Sequence, residues 1–348
     1  MTELDHIPRG SGDPRRLVDP FGRRLHYLRL SVTDLCNQRC LYCMPQSGIA
    51  KLTHQEILSL EEQARVARVA HALGVDKIRL TGGEPLLRRD LPVLLQALGG
   101  LSPRPDLRLT TNGRLLAAHL DRLVEAGVKA VNISLDTLQP QRYGLITGLG
   151  LEEGLKAFAA VWEGIQAALA RPGLTVKLNL VLLNGLNHDE LADFARLTLE
   201  LPLAVRFIEY MPVGAAKAFA PERFLSAEQA LASLAGLGEL AELPRQPGDG
   251  PARRFRLPGA AGELGVIHAL SNHFCATCNR LRLSAEGRLV PCLFSAQSLD
   301  LKPILRGGGD DEALAQALLA AAALKPRHHQ QTQALAVPSG CAMSRLGG

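Results

Sequence analysis

Three cysteines near the start of the chain have a chemistry and spacing that suit a metal centre. They are Cys36, Cys40 and Cys43, arranged as C-x3-C-x2-C. A structural zinc site normally closes with four ligands, whereas a four-iron cluster bound by three thiolates keeps one iron free for a substrate. The spacing therefore favours an iron–sulfur cluster with an open iron. The alternatives are a zinc site completed by a distant histidine and a coincidental spacing.

A second group of three cysteines lies more than two hundred residues later. Cys275, Cys278 and Cys292 form a C-x2-C pair followed at a distance by a single cysteine. This pattern is less specific. It is compatible with a second iron–sulfur cluster, and also with zinc that takes His268 or His273 as its fourth ligand. The sequence predicts a second metal site and does not decide between an iron–sulfur cluster and zinc.

The chain between the two groups alternates between strands and helices, which would position the cysteines. A capping box at Ser59 and Glu62 indicates the start of the first helix. The predicted strands span residues 27–32, 77–81, 107–111, 130–135, 175–182 and 204–209. The predicted helices between them span residues 59–73, 89–98, 115–126, 152–169 and 189–199. The apolar character of the strands predicts a parallel sheet that is buried on both faces.

Six β/α units fall short of the eight that close a barrel. We therefore predict an α/β fold, a partial six-unit β/α TIM-like barrel with a C-terminal extension. Ligands of such folds gather at the carboxyl ends of the strands. Polar or glycine-rich segments follow four of the predicted strands, namely residues 81–84 (TGGE), 110–113 (TTNG), 134–136 (SLD) and 209–211 (EYM). We expect one rim of the barrel to carry the chemistry.

The composition of the chain changes after about residue 215. Pro and Gly are frequent from residue 243 to residue 265, which predicts a connector or an irregular layer. Residues 281–290 alternate as in a hairpin that carries Cys292 back towards the earlier pair, and residues 311–324 predict a helix. These changes divide the chain into a flexible N-terminal segment 1–18, a barrel 19–214 and a C-terminal region 215–348.

The net charge of +5 is mild and does not by itself indicate a nucleic acid or membrane partner. Residues 1–16 lack the apolar stretch of a signal peptide, and the apolar run 313–324 is too short to cross a bilayer. We predict a cytoplasmic protein with reduced cysteines. The seventh cysteine, Cys341, receives no role. The pair His328-His329 is expected to face solvent.

Several further segments give the chain a resemblance to the GTP 3′,8-cyclase family of radical S-adenosylmethionine (SAM) enzymes. The resemblance covers most of residues 19–348. The first cysteine group is typical of radical SAM enzymes in general, whereas the second group with the arginines that follow it is typical of this family. The segments that carry the resemblance are residues 27–45 (YLRLSVTDLCNQRCLYCMP), 77–86 (KIRLTGGEPL), 110–113 (TTNG), 132–136 (NISLD), 206–211 (RFIEYM), the second cysteine group and the terminal Gly-Gly pair.

The resemblance implies two [4Fe-4S] clusters and SAM as cofactors. The first cluster would be held by Cys36, Cys40 and Cys43, and the second by Cys275, Cys278 and Cys292. The SAM pocket would be completed by Tyr42, Gly83, Ser134 and Met211. GTP would contact the second cluster and be surrounded by Arg29, Arg79, Thr110, Lys177, Arg280, Leu281 and Arg282. Residues 215–348 would thus form a second-cluster and GTP-binding region.

Some of these residues have a purely structural alternative. Gly82-Gly83 could form a simple strand-to-helix turn, and Met211 could pack in the core. Gly347-Gly348 would ordinarily be a frayed chain end. The resemblance instead implies that this Gly-Gly tail enters the active site, where a backbone without side chains can approach the substrate or an arginine.

The activity that the resemblance implies is conversion of GTP to 3′,8-cyclo-7,8-dihydro-GTP, the first step of molybdenum cofactor biosynthesis. The partners would be GTP, an electron donor and the downstream cyclic pyranopterin monophosphate synthase. The sequence leaves open whether that synthase is contacted directly and whether the chain forms a homodimer. No nucleic acid or membrane partner is expected. Two alternatives remain, a peptide-modifying radical SAM enzyme with an auxiliary cluster and a zinc-stabilised nucleic-acid-binding protein.

Overall fold

The computed structural model describes residues 16–45, 47–211, 213, 221–246, 249–295, 297–329 and 343–347. Within them, twelve strands form one sheet in the order β12-β11-β10-β1-β2-β3-β4-β5-β6-β9-β8-β7. The first six strands are parallel and follow one another in chain order, which is the arrangement of a β/α barrel; a doubly wound sheet would reverse its order. The predicted fold class is confirmed.

The six barrel strands lie close to their predicted positions. They are β1 Tyr27–Ser31, β2 Lys77–Thr81, β3 Asp106–Thr111, β4 Val128–Ser134, β5 Thr175–Leu182 and β6 Ala204–Glu209. The helices that connect them are α1 Leu60–Ala72, α2 Leu91–Gly99, α3 Leu116–Glu125, α4 Pro140–Ile146, α5 Leu151–Leu169 and α6 Leu191–Glu200. The capping box at Ser59 and Glu62 is present. The short helix α4, which begins at a proline, was not predicted.

The C-terminal region adds strands to both edges of this sheet. Beyond β6 lie β7 Ala241–Leu243, β8 Arg253–Arg256 and β9 Glu263–Ile267, of which β9 pairs parallel with β6. Beyond β1 lie β10 Arg280–Leu283, β11 Arg288–Val290 and β12 Leu299–Asp300, of which β10 pairs parallel with β1. The expected hairpin is therefore confirmed as β10–β11. The division between a barrel ending at residue 214 and a C-terminal region stays a prediction.

The prediction of a connector or an irregular layer at residues 243–265 is wrong, because this segment contributes to three strands of the sheet. The strands are only three to five residues long and are separated by loops that contain Pro and Gly, so composition hides them. The remaining helices are α7 Ala227–Ala232, α8 Lys302–Arg306, α9 Asp311–Ala323 and α10 Met343–Leu346. The helix predicted at residues 311–324 is confirmed as α9.

The two faces of the parallel strands differ in character, which the prediction of uniformly apolar strands missed. Leu28, Leu30, Ile78 and Leu80 belong to the main core, where helices cover the sheet. Alternate residues of a strand point to opposite faces, and the intervening positions on the other face are polar. The polar face lines an interior cavity. In the part of the chain that the structure describes, no helix is both long and apolar enough to cross a lipid bilayer.

Candidate active site

The loop that carries the first three cysteines follows β1 and is held on two sides. On one side, the backbone N–H groups of Gly83 and Glu84 donate to the carbonyls of Thr33 and Leu35, at 2.8 and 2.7 Å. On the other side, Leu41 N donates to the carbonyl of Ile146, the last residue of α4, at 3.0 Å. The unpredicted helix α4 thus helps to fix the cysteine loop.

The Gly82-Gly83 pair is required by the close approach of this loop. Gly82 has a φ of +146°, and a Cβ there would lie 2.5 Å from the carbonyl oxygen of Thr33. A Cβ on Gly83 would overlap the carbonyl of Leu35. Because both neighbours are backbone atoms, neither can move aside cheaply. The loop contact alone explains both glycines, so the role of Gly83 in SAM binding stays a prediction.

The carboxylate of Glu84 connects the segment after β2 to the end of β3 and the residue that follows it, beneath the cysteine loop. Its carboxylate is fully buried and accepts hydrogen bonds from Leu86 N at 3.0 Å, Thr111 Oγ1 at 2.8 Å and Asn112 N at 2.6 Å. Asn112 in turn donates to Asn37 Oδ1 at 2.7 Å, inside the cysteine loop. Burial raises the pKa of Glu84 to about 7, although these donors oppose the rise. Through its hydrogen bond to Asn112, the side chain of Glu84 positions the cysteine loop.

Asp136 gives the loop a second anchor at the end of β4. It accepts from the hydroxyl of Tyr42 at 2.7 Å and from Val181 N at 2.8 Å. Burial raises the pKa of Asp136 to about 6. The ring of Tyr42 packs against Ile146 and Tyr210. Tyr42 is thus fixed at both its hydroxyl and its ring.

The electrostatics of the first three cysteines fit a cationic centre. All three are free and half-buried. Burial raises the pKa of Cys36 to about 11, that of Cys43 to about 12 and that of Cys40 well above its ordinary value. The negative charge of Glu84 adds to the rise for Cys36, and negative forms of the neighbouring thiols add to it for Cys40 and Cys43. The thiols are therefore protonated at neutral pH without a metal, and a cation among them would favour the thiolates.

The zinc alternative gains no support from the geometry of the described residues, which contain no group of three or more His, Cys, Asp or Glu side chains placed to hold a single ion. His268, one of the two proposed zinc ligands, pairs instead with Glu228 at 2.9 Å. A cubane cluster binds each thiolate at a different iron and so spreads its ligands further apart. The donor set of three coupled thiols fits that group.

The polar face of the sheet carries a layer of arginines. Arg282 of β10, Arg29 of β1, Arg79 of β2 and Arg108 of β3 are direct neighbours in register across four parallel strands. They line a cavity of about 250 Å³. The same cavity is also lined by Lys77, Lys177, Arg206 and Arg280. With Arg254 and Lys325, ten Arg and Lys side chains among the described residues line this cavity.

Several of these cations lack a carboxylate partner among the described residues, whereas Lys77 and Arg108 lie 3.8 and 2.6 Å from Asp106. Across the described ranges, no carboxylate lies within salt-bridge distance of Arg79, Lys177, Arg280 or Arg282. Burial and neighbouring arginines lower the pKa of Lys177 to about 7 and that of Arg282 to about 10. Burial alone would raise the pKa of Tyr27, but Arg79, Arg29 and Arg280 lower it to about 7. The cavity is electrostatically prepared for an anion of several charges.

Unpartnered polar atoms also point to a ligand in this cavity. Arg280 Nε, Asn132 Oδ1 and Asn179 Oδ1 are buried without a hydrogen-bond partner, and all three residues line it. Arg280 additionally lies over the ring of Phe274, 4.9 Å from its centroid. Buried polar groups normally have partners, so their absence here indicates groups that a bound molecule would satisfy.

The second cysteine group lies at the end of the barrel opposite to the first. Cys275 and Cys278 precede β10, which runs parallel to β1, and Tyr27 N donates to the carbonyl of Asn279 at 3.2 Å. All three cysteines of this group line the cavity, whereas those of the first group do not. The expectation that one rim carries all the chemistry is therefore wrong. The arginine layer lies between the two groups, along β1.

The C-terminal tail reaches the arginine layer. Leu346 is fully buried in an apolar cluster with Val213, Val290 and Leu293, against which Met211 packs. Gly347 follows with a φ of +72°, and a Cβ there would overlap the side chain of Thr81. Gly348 and Cys341 lie outside the described residues. The docking of Gly347 supports the expectation that the tail enters the site.

Of the other predicted site residues, some lie at the cavity and others do not. Thr110 accepts from Arg79 Nη1 at 3.3 Å. Met211 lines the cavity and also packs in the tail cluster, so both of its interpretations stand. Ser134 is half-buried at the end of β4. Leu281 is directed into the main core, away from Arg280 and Arg282, so only its backbone could meet a ligand.

Sequence reasoning missed several cavity residues and misplaced another. Those missed include Tyr27, Lys77, Arg108 and Arg206. The first three occupy the same alternate positions of their strands as a predicted residue, and this period-two pattern could have found them. His329 was expected in solvent but is only 8% exposed. Its ring lies against Phe294, 4.6 Å between centroids, and lines the cavity. His328 is exposed, as expected.

Sequence profiles of two known families match the chain in adjoining segments. The Radical SAM superfamily profile matches residues 30–198, and the profile described as Molybdenum Cofactor Synthesis C matches residues 203–331. The first segment contains the first cysteine group and β2 to β5. The second contains all three cysteines of the second group.

Curated relatives match the chain over nearly its whole length. The chain is 44% identical to GTP 3′,8-cyclase of Heliobacterium modesticaldum, over 95% of this chain and 100% of that protein. It is 48% identical to the GTP 3′,8-cyclase of Pelotomaculum thermopropionicum, over 90% of this chain and 95% of that one. The enzyme of the same name from Moorella thermoacetica is 45% identical, over 95% and 100%.

Among solved structures, two crystal structures of Streptococcus suis SuiB resemble the chain, one of them bound to S-adenosylmethionine. Their TM-scores are 0.53 and 0.52, with 15% and 14% identity. Each alignment covers 86% of this chain, and 73% and 71% of the respective SuiB chain. At this level of identity the likeness shows the fold alone.

Proposed function

Because the chain belongs to the GTP 3′,8-cyclase family of radical SAM enzymes, we propose that its two cysteine groups hold two [4Fe-4S] clusters, with SAM at the first and GTP between them. The activity is conversion of GTP to 3′,8-cyclo-7,8-dihydro-GTP, the first step of molybdenum cofactor biosynthesis. The enzyme uses SAM and an iron–sulfur cluster. The count of two clusters and the residue roles are the proposal.

The first cluster would be bound by Cys36, Cys40 and Cys43. When bound, this cluster and SAM together supply the one-electron chemistry that removes a hydrogen from the ribose of GTP. The protein's own contribution is to hold the loop still through Glu84 and Asp136, whose hydrogen bonds fix it from two sides. Tyr42, Gly83, Ser134 and Met211 surround this end of the barrel and would complete the SAM pocket.

The arginine layer is the observation that carries the assignment of GTP. A triphosphate requires several directional donors, and arginine supplies them in pairs. The predicted contacts Arg29, Arg79, Thr110, Lys177, Arg280 and Arg282 belong to the inner face of the barrel, and Leu281 would contribute only its backbone. To these we add Tyr27, Lys77, Arg108 and Arg206, which line the same cavity.

The orientation of GTP follows from the two ends of the cavity. Cys275, Cys278 and Cys292 would hold the second cluster, whose open iron would receive the guanine base. Arg280 and Phe274 lie beside this group and offer a cation and an aromatic face to the base. The ribose would then lie nearer to the first cluster. Gly347 would close the site from the side of Thr81; the predicted role of Gly348 falls outside the described residues.

The other predicted partners rest on the family alone. An electron donor, the downstream cyclic pyranopterin monophosphate synthase, a homodimer and a cytoplasmic location are consistent with this activity and stay predictions. The peptide-modifying alternative would not by itself require the many arginine and lysine side chains that line the cavity. Their presence favours a nucleotide.

An anaerobic assay of reconstituted protein with SAM, reductant and GTP tests the proposal. Wild-type protein should contain about eight irons and eight sulfides per chain and should consume GTP. Cys36→Ala should abolish SAM cleavage. Cys278→Ala should retain SAM cleavage and lose GTP binding and cyclisation. Equal loss of SAM cleavage in both variants, with the untouched cluster still assembled, would contradict the division of roles. Zinc without sulfide would exclude the cluster assignment altogether.

A further inference from the structure

Lys325 is a buried lysine beside the second cysteine group that the proposed function leaves without a role. It follows α9 and is only 3% exposed. Its ammonium donates to the carbonyl of Arg280 at 2.8 Å and to the carbonyl of Pro291 at 2.7 Å. Both acceptors are backbone atoms, so the charge of the ammonium is solvated by peptide dipoles and remains uncompensated.

The two carbonyls belong to the segments that carry the cysteines. Arg280 is two residues beyond Cys278, and Pro291 immediately precedes Cys292. One ammonium therefore joins the start of β10 to the end of β11. Lys325 lines the cavity together with Cys278 and Cys292, and the negative forms of both thiols act favourably on its charge. Lys325 thus holds the backbone close to two of the three proposed ligands, Cys278 and Cys292.

The charge of Lys325 lacks a carboxylate partner. In the described portion of the chain, no Asp or Glu oxygen lies within salt-bridge distance of its Nζ, and the cation Arg23 acts on it unfavourably. A buried charge without a counter-charge is strongly unfavourable. The negative groups that face Lys325 are the thiolate forms of Cys278 and Cys292. They carry negative charge when they bind a metal.

We propose that Lys325 is the fixed counter-charge of the second cluster: it holds the backbone beside Cys278 and Cys292 and, through its positive charge, raises the reduction potential of that cluster. Net charge and hydrogen bonds to sulfur are among the factors that set such potentials. The inference rests on the proposed second cluster. It concerns a positioning residue: Lys325 lines the cavity, but its ammonium donates to two backbone carbonyls beside the cysteines.

The test compares Lys325→Met, which keeps the length of the side chain and removes its charge, with Lys325→Arg, which keeps the charge. Full-length proteins are reconstituted anaerobically, iron and sulfide are quantified, and each cluster is titrated by electron paramagnetic resonance at controlled potentials. Lys156→Met, an exposed lysine paired with Glu152 on α5, is the matched control. The first cluster serves as the internal reference.

We expect Lys325→Met to shift the second cluster to a more negative potential, by at least a tenfold change in the ratio of reduced to oxidised cluster, about 59 mV for one electron. Lys325→Arg should recover most of the shift, and the first cluster and the control should not move. Loss of the second cluster in the Met variant with retention in the Arg variant would also support a charge role. An unchanged potential, or loss of the cluster in both variants, would overturn it.

These outcomes separate the two proposals. If wild-type protein contains only one cluster, or zinc at the second cysteine group, the proposed two-cluster site fails before Lys325 is considered. If wild-type protein contains two clusters and Lys325→Met leaves the second one unchanged in potential, the proposed function stands and the role of Lys325 falls.

Discussion

Arg282 Nη1 donates a hydrogen bond to the carbonyl oxygen of Gly347 at 3.3 Å. This contact joins the arginine layer on β10 to the penultimate residue of the chain. The preceding residues hold the tail in place, since Leu346 is buried and Arg345 pairs with Glu286 at 3.2 Å. The tail therefore forms part of the wall around the anion site.

Gly347→Ala should impair cyclisation and leave cluster content unchanged. A Cβ at this position would overlap Thr81, and alanine disfavours a φ of +72° by about 1–2 kcal/mol. The tail should therefore leave its docked position in a large fraction of molecules, and we expect product yield to fall about tenfold or more. Product yield, iron content and limited proteolysis of the C-terminus would measure this.

The matched control for that variant is Gly173→Ala. Gly173 has a similar φ of +77°, but nothing lies within 4 Å of the position its Cβ would take. It carries the same backbone strain without the contact. If Gly347→Ala formed product at the wild-type rate, the structural requirement for glycine at the tail would be refuted.

Arg280→Met should weaken GTP binding far more than Arg254→Met. Both side chains line the cavity, but Arg254 is neutralised by Asp249 at 2.9 Å and Glu263 at 3.2 Å. Arg280 has an unpartnered Nε and no such carboxylates. Loss of one charge-assisted hydrogen bond, about 1.5–3 kcal/mol, corresponds to roughly tenfold to a hundredfold in Kd. Calorimetric titration with GTP measures both variants, and equal losses would contradict the distinction.

GTP binding should weaken as the pH rises above about 7. Burial and Arg206 lower the pKa of Lys177 to about 7, and nearby arginines bring the pKa of Tyr27 to about 7. A bound anion raises both pKa values, so binding takes up protons between the free-state and bound-state pKa values. Each linked proton lowers affinity by up to about tenfold per pH unit in this window.

Calorimetry in two buffers with different ionisation enthalpies would detect the proton uptake directly. Lys177→Met and Tyr27→Phe should each remove part of the uptake. Proton release on GTP binding, or an affinity that is constant from pH 6.5 to about 8.5, would show that these two groups do not respond to the ligand.

Glu84→Gln should destabilise the loop of the first cysteine group. Both carboxylate oxygens of Glu84 accept hydrogen bonds, including those from Thr111 and from Asn112 N, and an amide group replaces one acceptor by a donor. We expect a loss of about 1–3 kcal/mol in the free energy of unfolding and reduced iron at the first cluster. Thermal unfolding and iron analysis check this, with the exposed Glu61→Gln as control. Unchanged iron content would argue against Glu84 as an anchor of the loop.

The sequence predicted the strands and helices of the barrel well because their signals are local. The strands at residues 77–81, 175–182 and 204–209 have the predicted boundaries, and the box at Ser59 and Glu62 starts α1. The short strands β7 to β9 escaped prediction, since three to five residues carry too little periodicity to distinguish a strand from a loop. Their place in the sheet depends on pairing with β6.

The cysteine spacings and the family resemblance by themselves determined the kind of chemistry, because metal ligation and family motifs are written in residue type and order. Only the tertiary structure decided that the two cysteine groups lie at opposite ends of the barrel, with the arginine layer between them. That arrangement follows from β10 pairing parallel with β1, a contact between residues more than two hundred positions apart. The burial of His329 and Lys325 was likewise visible only in the structure. Long-range packing sets the environment of a side chain, and local sequence does not.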